Sequence, residues 1–111
     1  MKYILILLAL LFPVSLVAQA TEGSVLGIVV DPSGRILVGA RVVVTNTQTN
    51  FPRTTVTNDS GEYVIANLPV GIYSVSAEMA GFKTDIESNI EMTVKARVRV
   101  DFKMQTGAVN Q

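Results

Sequence analysis

The chain has 111 residues, carries nine Lys and Arg against nine Asp and Glu, and contains no histidine, cysteine or tryptophan. This charge balance excludes the strong basic field with which proteins attract nucleic acid or an anionic lipid surface. The usual general base and the soft metal ligands are missing, so we expect no catalytic centre, cofactor or metal site of the common kinds. Lysine-based catalysis would need a desolvated lysine, whereas Lys83, Lys95 and Lys103 fall at polar or outward positions.

The first 20 residues have the organisation of a secretory signal. Lys2 precedes an apolar stretch, Ile4–Val17, and Ala18-Gln19-Ala20 forms a small-residue cleavage site. We therefore predict a signal-peptide helix over 1–20, cleavage after Ala20 and export of the remainder. The alternative is an uncleaved membrane anchor, but the stretch is shorter than the roughly 20 apolar residues of a bilayer span.

The residues after the signal are enough for one domain, which we place at 21–106 with a short tail over 107–111. With no cysteine for a disulfide, this domain must be stabilised by sheet packing alone. Apolar alternation interrupted by turn residues every 8 to 12 positions or so predicts an all-β fold, a seven-stranded antiparallel β-sandwich. The expected strands are Val25–Val30, Ala40–Asn46, Arg53–Thr57, Glu62–Ala66, Ile72–Glu78, Lys83–Met92 with a break near Ser88-Asn89, and Lys95–Met104.

Two turns share one chemistry. Asp31-Pro32-Ser33-Gly34 and Asn58-Asp59-Ser60-Gly61 both end in a glycine, which adopts a left-handed conformation without steric cost. We interpret the glycosylation sequon at Asn58 as part of its turn. Pro52 cannot donate to a strand ladder, which predicts that the third strand begins at a sheet edge.

Period-two alternation assigns the faces of the strands. The expected inward side chains are Val25, Val29, Val42, Val44, Tyr63, Ile65, Tyr73, Val75, Ala77, Ala96, Val98, Val100, Phe102 and Met104. The first strand is apolar on both faces, because Leu26, Ile28 and Val30 fill its other side. Either this strand is central and covered, or its outer face meets something else.

Three stretches carry a more specific pattern: GSVLGIVVDPSGRILVGARVVV (Gly23–Val44), TNDSGEYVIANLPVGIYSVSAEMAGFK (Thr57–Lys83) and VKARVRVDFKMQTGAV (Val94–Val109). In this order they resemble the carboxypeptidase regulatory-like domain, a transthyretin-like sandwich with an Ig-like Greek-key arrangement. The resemblance is greatest to the copy that follows the signal peptide of some TonB-dependent outer-membrane receptors of Gram-negative bacteria. It implies a non-enzymatic exported accessory domain, located in the periplasm or held at the outer membrane through a partner.

The resemblance also implies a structural role for the segment after the second turn. Leu68-Pro69-Val70-Gly71 would cross from one sheet to the other, and Tyr73 would be a corner tyrosine whose hydroxyl bonds a backbone group of the crossing. In the receptors a plug and a barrel follow this domain, whereas Gln111 ends the sequence where the plug would begin. We expect either a stand-alone domain or a truncated receptor.

The last strand presents a candidate interaction face. Its outward residues form a cationic stripe that contains one acidic residue, Asp101, and that comprises Lys95, Arg97, Arg99 and Lys103. One interpretation is a solvated face or the protection of a sheet edge. The functional interpretation is docking against an acidic partner, such as a receptor plug, another periplasmic or envelope protein, or lipopolysaccharide phosphates.

Carbohydrate binding is the main alternative function. A sugar platform needs exposed aromatic rings, and only Phe51 and Phe82 are not assigned to the core; we expect both to act as lids on the open ends of the sandwich. A self-crosslinked pilin-type domain is excluded, because Val25–Val30 contains no lysine and Val94–Met104 no asparagine. Calcium at Asp31 or Asp59 would find too few carboxylates for a shell of about 6–8 oxygens.

Overall fold

The computed structural model describes residues 21–107, in which the chain is all-β and forms two packed sheets. The predicted sandwich is therefore confirmed. Its strands are β1 (Gly23–Val30), β2 (Arg41–Asn46), β3 (Pro52–Val56), β4 (Glu62–Leu68), β5 (Gly71–Glu78), β6 (Asp85–Met92), β7 (Arg97–Arg99) and β8 (Phe102–Lys103). Within 21–107 no helix is long and apolar enough to cross a membrane. The predicted signal helix over 1–20 and positions 108–111 of the tail lie outside the described residues.

Each of the two sheets has four strands. Sheet one has the order β4-β1-β7, with β8 also pairing β1 beyond the end of β7, and sheet two has the order β3-β2-β5-β6. β1 is thus central in sheet one. β3 lies at the edge of sheet two, as Pro52 predicted.

The inner faces of the two sheets form one apolar core, as alternation predicted. Among the predicted inward side chains, only Ala96 and Val98 are half-buried rather than buried. Such burial contributes about 25 cal/mol per Å² of apolar surface and is the main stabilising term in a domain without disulfides. The Tyr63 hydroxyl on β4 donates a hydrogen bond at 2.6 Å to the Val100 carbonyl, which lies on the other side of β1 in the same sheet.

The last predicted strand is corrected by the structure. Its run is divided into β7 and β8, since the Asp101 carboxylate, rather than a backbone carbonyl, accepts the Ile28 amide N–H at 2.9 Å. Lys95 belongs to the preceding turn, with φ of 56°, and is not in a strand. β7 and β8 both pair with β1 in parallel, so sheet one is mixed and the purely antiparallel arrangement was wrong.

The predicted break near Ser88-Asn89 is a β-bulge. β6 has one more residue than β5 between the pairs Tyr73–Ile90 and Val75–Glu87, and Asn89 has φ of 57°. A bulge and acidic side chains make this free edge of sheet two a poor template for another strand.

The crossing between the sheets follows the expected geometry. Leu68, which is buried, ends β4 in sheet one, and Gly71 begins β5 in sheet two. The Tyr73 hydroxyl donates to the Pro69 carbonyl at 2.7 Å, which confirms the corner tyrosine. On the same side of the sandwich, the Arg53 guanidinium on β3 donates to carbonyls of β4 and ties the two sheets together.

The two predicted glycine turns are also confirmed. Gly34 and Gly61 have φ of 91° and 72°, in the left-handed region. The Asp31 carboxylate accepts hydrogen bonds from the Ser33 amide and hydroxyl and from the Arg35 amide, so one oxygen organises its whole turn. The Asn58 side chain likewise accepts from the amides of Ser60 and Glu62.

Candidate binding surface

The outward side of β1 is the least expected feature of sheet one. Burial alternates strictly along the strand: Val25 and Val29 are completely buried, while Leu26, Ile28 and Val30 are half-buried on the opposite face. An antiparallel sheet that faces water on one side normally carries polar residues there. Here the central strand places three aliphatic side chains on that side.

Strand register sets what surrounds these aliphatic side chains. Leu26 lies opposite Val64 of β4 on one side and Arg99 of β7 on the other, so one row across the sheet is aliphatic, aliphatic and cationic. In the next two rows, Ser24 lies beside Arg97, and Ile28 lies beside Glu62. Val64 is 59% exposed although both of its chain neighbours are buried.

We call this surface the outer face of sheet one. Its aliphatic members form a strip defined by Leu26, Ile28 and Val64. All three line one depression of about 370 Å³, to which Glu62, Arg99 and the exposed Val56 also contribute. A single exposed aliphatic residue needs no explanation, but a contiguous strip flanked by charges is typical of an interaction site.

The cationic stripe borders this strip on one side only. Arg97 and Arg99 project from β7 and Lys103 from β8, all exposed; Lys95 is exposed too, in the turn before β7. Across residues 21–107 only two ion pairs form, and only one of them, between Arg99 and Asp101 at 2.9 Å, involves the stripe. The structure thus keeps three of the four predicted cations on β7 and β8 and places the fourth at their end.

Asp101 has a structural role within the stripe. One carboxylate oxygen accepts the Ile28 amide and the other accepts Arg99 Nε, each at 2.9 Å. Burial alone would raise the pKa of this carboxyl, but the hydrogen bonds from Arg99 and from the backbone outweigh it and hold the pKa below its ordinary value. Arg99 is therefore held in place along the sheet, while Arg97 is free of ion pairing within the described chain.

The two loop aromatics lie at opposite ends of the sandwich. Phe82 follows β5, packs partly buried against the core and bridges Thr106, so its predicted role as a lid is confirmed. Phe51 follows β2, whose last residue lies at the start of β5, and it is 66% exposed; the lid interpretation was wrong for this ring. The two rings cannot form one sugar platform.

Phe51 instead borders a groove. The groove has a volume of about 350 Å³ and is lined by Asn46, Thr49, Phe51, Arg53, Asn67, Leu68, Pro69 and Tyr73. The one charged donor in this lining, the Arg53 guanidinium, is already bonded to the carbonyls of Ala66 and Asn67. The Asn46 amide oxygen accepts two backbone N–H groups of its own loop. Much of the polar capacity around Phe51 is therefore used within the fold.

Few side chains within residues 21–107 are suited to metal binding or catalysis. Residues 21–107 contain no cluster of three or more acidic, histidine or cysteine side chains that could hold a metal ion. Each side-chain nitrogen or oxygen buried there has a hydrogen-bond partner. Lys83, Lys95 and Lys103 are all exposed, so none has the desolvated environment that activates a lysine.

One position that shapes this surface, Gly27, was not predicted from the sequence. Gly27 lies in the middle of β1, and a Cβ built there would come within 2.0 Å of the Val100 carbonyl oxygen. A glycine inside an alternating strand is a known sign of close backbone approach and could have indicated this contact. Alternation did not show what covers Leu26 and Ile28, since only the register between strands places them beside the stripe.

Comparison with known proteins agrees with this architecture. Residues 24–105 match the model of the carboxypeptidase regulatory-like domain. The chain is 32% identical over 96 residues to the TonB-dependent transporter Oar of Myxococcus xanthus, an alignment that covers 85% of this chain and 9% of the transporter. The chain thus spans less than a tenth of that relative.

Two solved structures are similar in fold. The Bacillus anthracis TIE protein matches with a TM-score of 0.65 and 28% identity, over 78% of this chain and 17% of that one. A putative carbohydrate-binding protein from Bacteroides uniformis matches with a TM-score of 0.57 and 22% identity, over 74% of this chain and 40% of its own. The family match extends over most of the chain and includes both sheets, and this protein belongs to the carboxypeptidase regulatory-like domain family.

Proposed function

We propose that the domain is a non-enzymatic, exported interaction domain that binds an acidic protein partner through the cationic stripe. The observation that carries this proposal is the stripe itself: exposed cations on neighbouring positions of one sheet, in a chain without net charge. Such a patch favours encounter with an acidic surface and gives salt-dependent association. The exposed lysines and the satisfied buried polar groups support a role without catalysis.

The relation to a TonB-dependent transporter supports the identity of the partner and the compartment. We propose that the partner is a receptor plug or another periplasmic or envelope component of a Gram-negative bacterium. The domain would reside in the periplasm and associate with the outer membrane only through that partner. Amino-terminal sequencing of the periplasmic protein should begin at Thr21, and recovery of cytoplasmic protein with Met1 intact would contradict export.

The test of binding uses a double variant that spares the fold. The variant Arg97→Ser/Lys103→Ser removes two cations that form no ion pair within residues 21–107. Arg53 is not suitable for a control substitution, because its guanidinium is bonded to β4. Arg35→Ser alone, in the exposed turn after β1, is the control. If each lost pair contributes about 0.5 kcal/mol, binding to the isolated acidic partner falls roughly fivefold.

The salt dependence provides the decisive measurement. Wild-type binding should weaken between low and high salt, and the double variant should show a flatter dependence because fewer charges remain to be screened. Unchanged affinity and unchanged salt dependence in the double variant would refute a role for the stripe.

Carbohydrate binding is a second candidate function, favoured by one observation. Phe51 is 66% exposed beside a groove of about 350 Å³, where a ring could stack against a sugar. A glycan array with the wild type and with Phe51→Ala tests it, with Phe82→Ala as the control for the lid. Glycan binding that is lost in Phe51→Ala and retained in the Arg97 and Lys103 double variant would favour this candidate over the first.

A further inference from the structure

We infer that the partner contacts the whole outer face of sheet one, and that it presents an amphipathic acidic helix whose apolar ridge covers the strip Leu26, Ile28 and Val64. This inference rests on the proposed function and deepens it. The stripe alone would predict only an acidic surface, whereas the neighbouring aliphatic strip specifies how apolar and acidic groups are arranged on the partner.

The first argument is the burial of the strip. Leu26 and Ile28 are half-buried and Val64 is 59% exposed, and these side chains line one continuous depression with Arg99. The outer face of sheet two also carries aliphatic residues, but Ser76 lies between Val43 and Ile86 there. In sheet one Leu26 and Val64 are direct cross-strand neighbours, so their side chains form one continuous apolar surface. Aliphatic residues at the centre of sheet one therefore favour a contact that removes them from water.

The second argument is charge. The β7 side of the strip carries Arg97 and Arg99, with Lys103 further along on β8, and adjacent strands are about 4.8 Å apart. A partner with an apolar ridge therefore needs carboxylates about 5 Å to one side of that ridge, a lateral spacing that neighbouring positions on a helix surface provide. Glu62 lies on the β4 side of the strip and would repel a helix that carried carboxylates on both flanks of its apolar ridge.

The third argument is length. The outward positions of β1 from Ser24 to Val30 span six residue steps, or about 20 Å at 3.3 Å per residue. A helix that runs along β1 covers this distance with about 13 residues at 1.5 Å each. Packing a helix on the uncovered face of a sheet is one of the common layer arrangements of proteins.

The same face is less suited to an anionic membrane or to an added strand. Two carboxylates lie on this face, Asp101 among the cations and Glu62 on the β4 side, and both would face lipid phosphates at close range. β7 has three residues before the Asp101 contact interrupts the ladder, which is short for strand addition. A helix that lies on the face requires no backbone pairing.

The test uses defined peptides and the full exported domain. One peptide of about 14 residues has leucine along one helical face and glutamate along one adjoining flank; a second has the same composition in scrambled order. Val64→Thr removes exposed aliphatic surface from the strip. Its matched control is Ile86→Thr, because Ile86 is 58% exposed on the outer face of sheet two.

We expect the patterned peptide to bind at least about fivefold more tightly than the scrambled one, and to shift the amide NMR signals of Leu26, Ile28, Val64 and Arg97. Val64→Thr should weaken binding about threefold, and Ile86→Thr should leave it unchanged. Arg97→Ser should weaken it as well, with Arg35→Ser as the matched control.

The outcomes separate this inference from the proposed function. If both peptides and poly-L-glutamate bind equally, with dependence on Arg97 and none on Val64, the helix inference is overturned while the acidic partner stands. If neither the peptides nor poly-L-glutamate binds, and no amide signal of the domain shifts when they are added, both the helix inference and the acidic partner are overturned. Binding to phosphatidylglycerol vesicles but to neither peptide overturns the inference in favour of a membrane surface.

Discussion

Replacing Tyr73 tests the corner between the two sheets. Only 3% of the surface of Tyr73 is exposed. Its hydroxyl donates to the Pro69 carbonyl at 2.7 Å, in a hydrogen bond that is partly buried. In Tyr73→Phe one hydrogen bond is lost and the carbonyl can recruit water, so we expect a loss of about 1 kcal/mol of unfolding free energy. Tyr73→Ala also opens a cavity in the core and should cost about 3–5 kcal/mol.

Tyr63 provides a matched comparison. Its hydroxyl donates to the Val100 carbonyl at 2.6 Å, and this contact is buried rather than partly buried. Tyr63→Phe leaves that carbonyl without a partner and away from water, at a cost of about 1–3 kcal/mol. We therefore expect Tyr63→Phe to be more destabilising than Tyr73→Phe.

Urea denaturation at neutral pH measures these differences. The urea midpoint should fall in the order wild type, Tyr73→Phe, Tyr63→Phe, Tyr73→Ala. The dependence of the unfolding free energy on urea concentration should be the same in all four proteins. For a domain of this size, each kcal/mol also lowers the thermal midpoint by about 4–8 °C. A wild-type midpoint in Tyr73→Ala, or a larger loss in Tyr73→Phe than in Tyr63→Phe, would refute the account of burial at the corner.

Two further predictions concern the contact between β1 and the last strands. Gly27→Ala should prevent stable folding, since its Cβ would meet the Val100 carbonyl oxygen at 2.0 Å. Gly34→Ala lies in open space with φ of 91° and should cost only about 1 kcal/mol of backbone strain. Equal thermal midpoints for the two variants would contradict this. The Asp101 pKa is lowered in the folded state, so its contribution to stability is present above about pH 4 and is lost as the pH falls through the folded value. The gap in urea midpoint between wild type and Asp101→Asn should therefore shrink from pH 7 to pH 3, and a constant gap would exclude the charge as its cause.

Much of this fold could be predicted from local sequence. Strand faces follow from period two, and the glycine turns from residues that tolerate positive φ, as Gly34 and Gly61 do. The corner at Tyr73 joins residues only four positions apart, so its motif is nearly contiguous. These features depend on near neighbours along the chain, which a sequence displays directly.

The sequence by itself therefore determined the all-β class, the core, the turns and the cationic character of the last strand. Only the tertiary structure decided that β7 and β8 run parallel to β1, that Asp101 divides them by holding an amide 73 positions away, and that Leu26 lies between Val64 and Arg99. Alternation assigns a residue to a face but not to a neighbour in the next strand. That neighbour depends on the register between distant segments, which is set when the two sheets pack around their shared core.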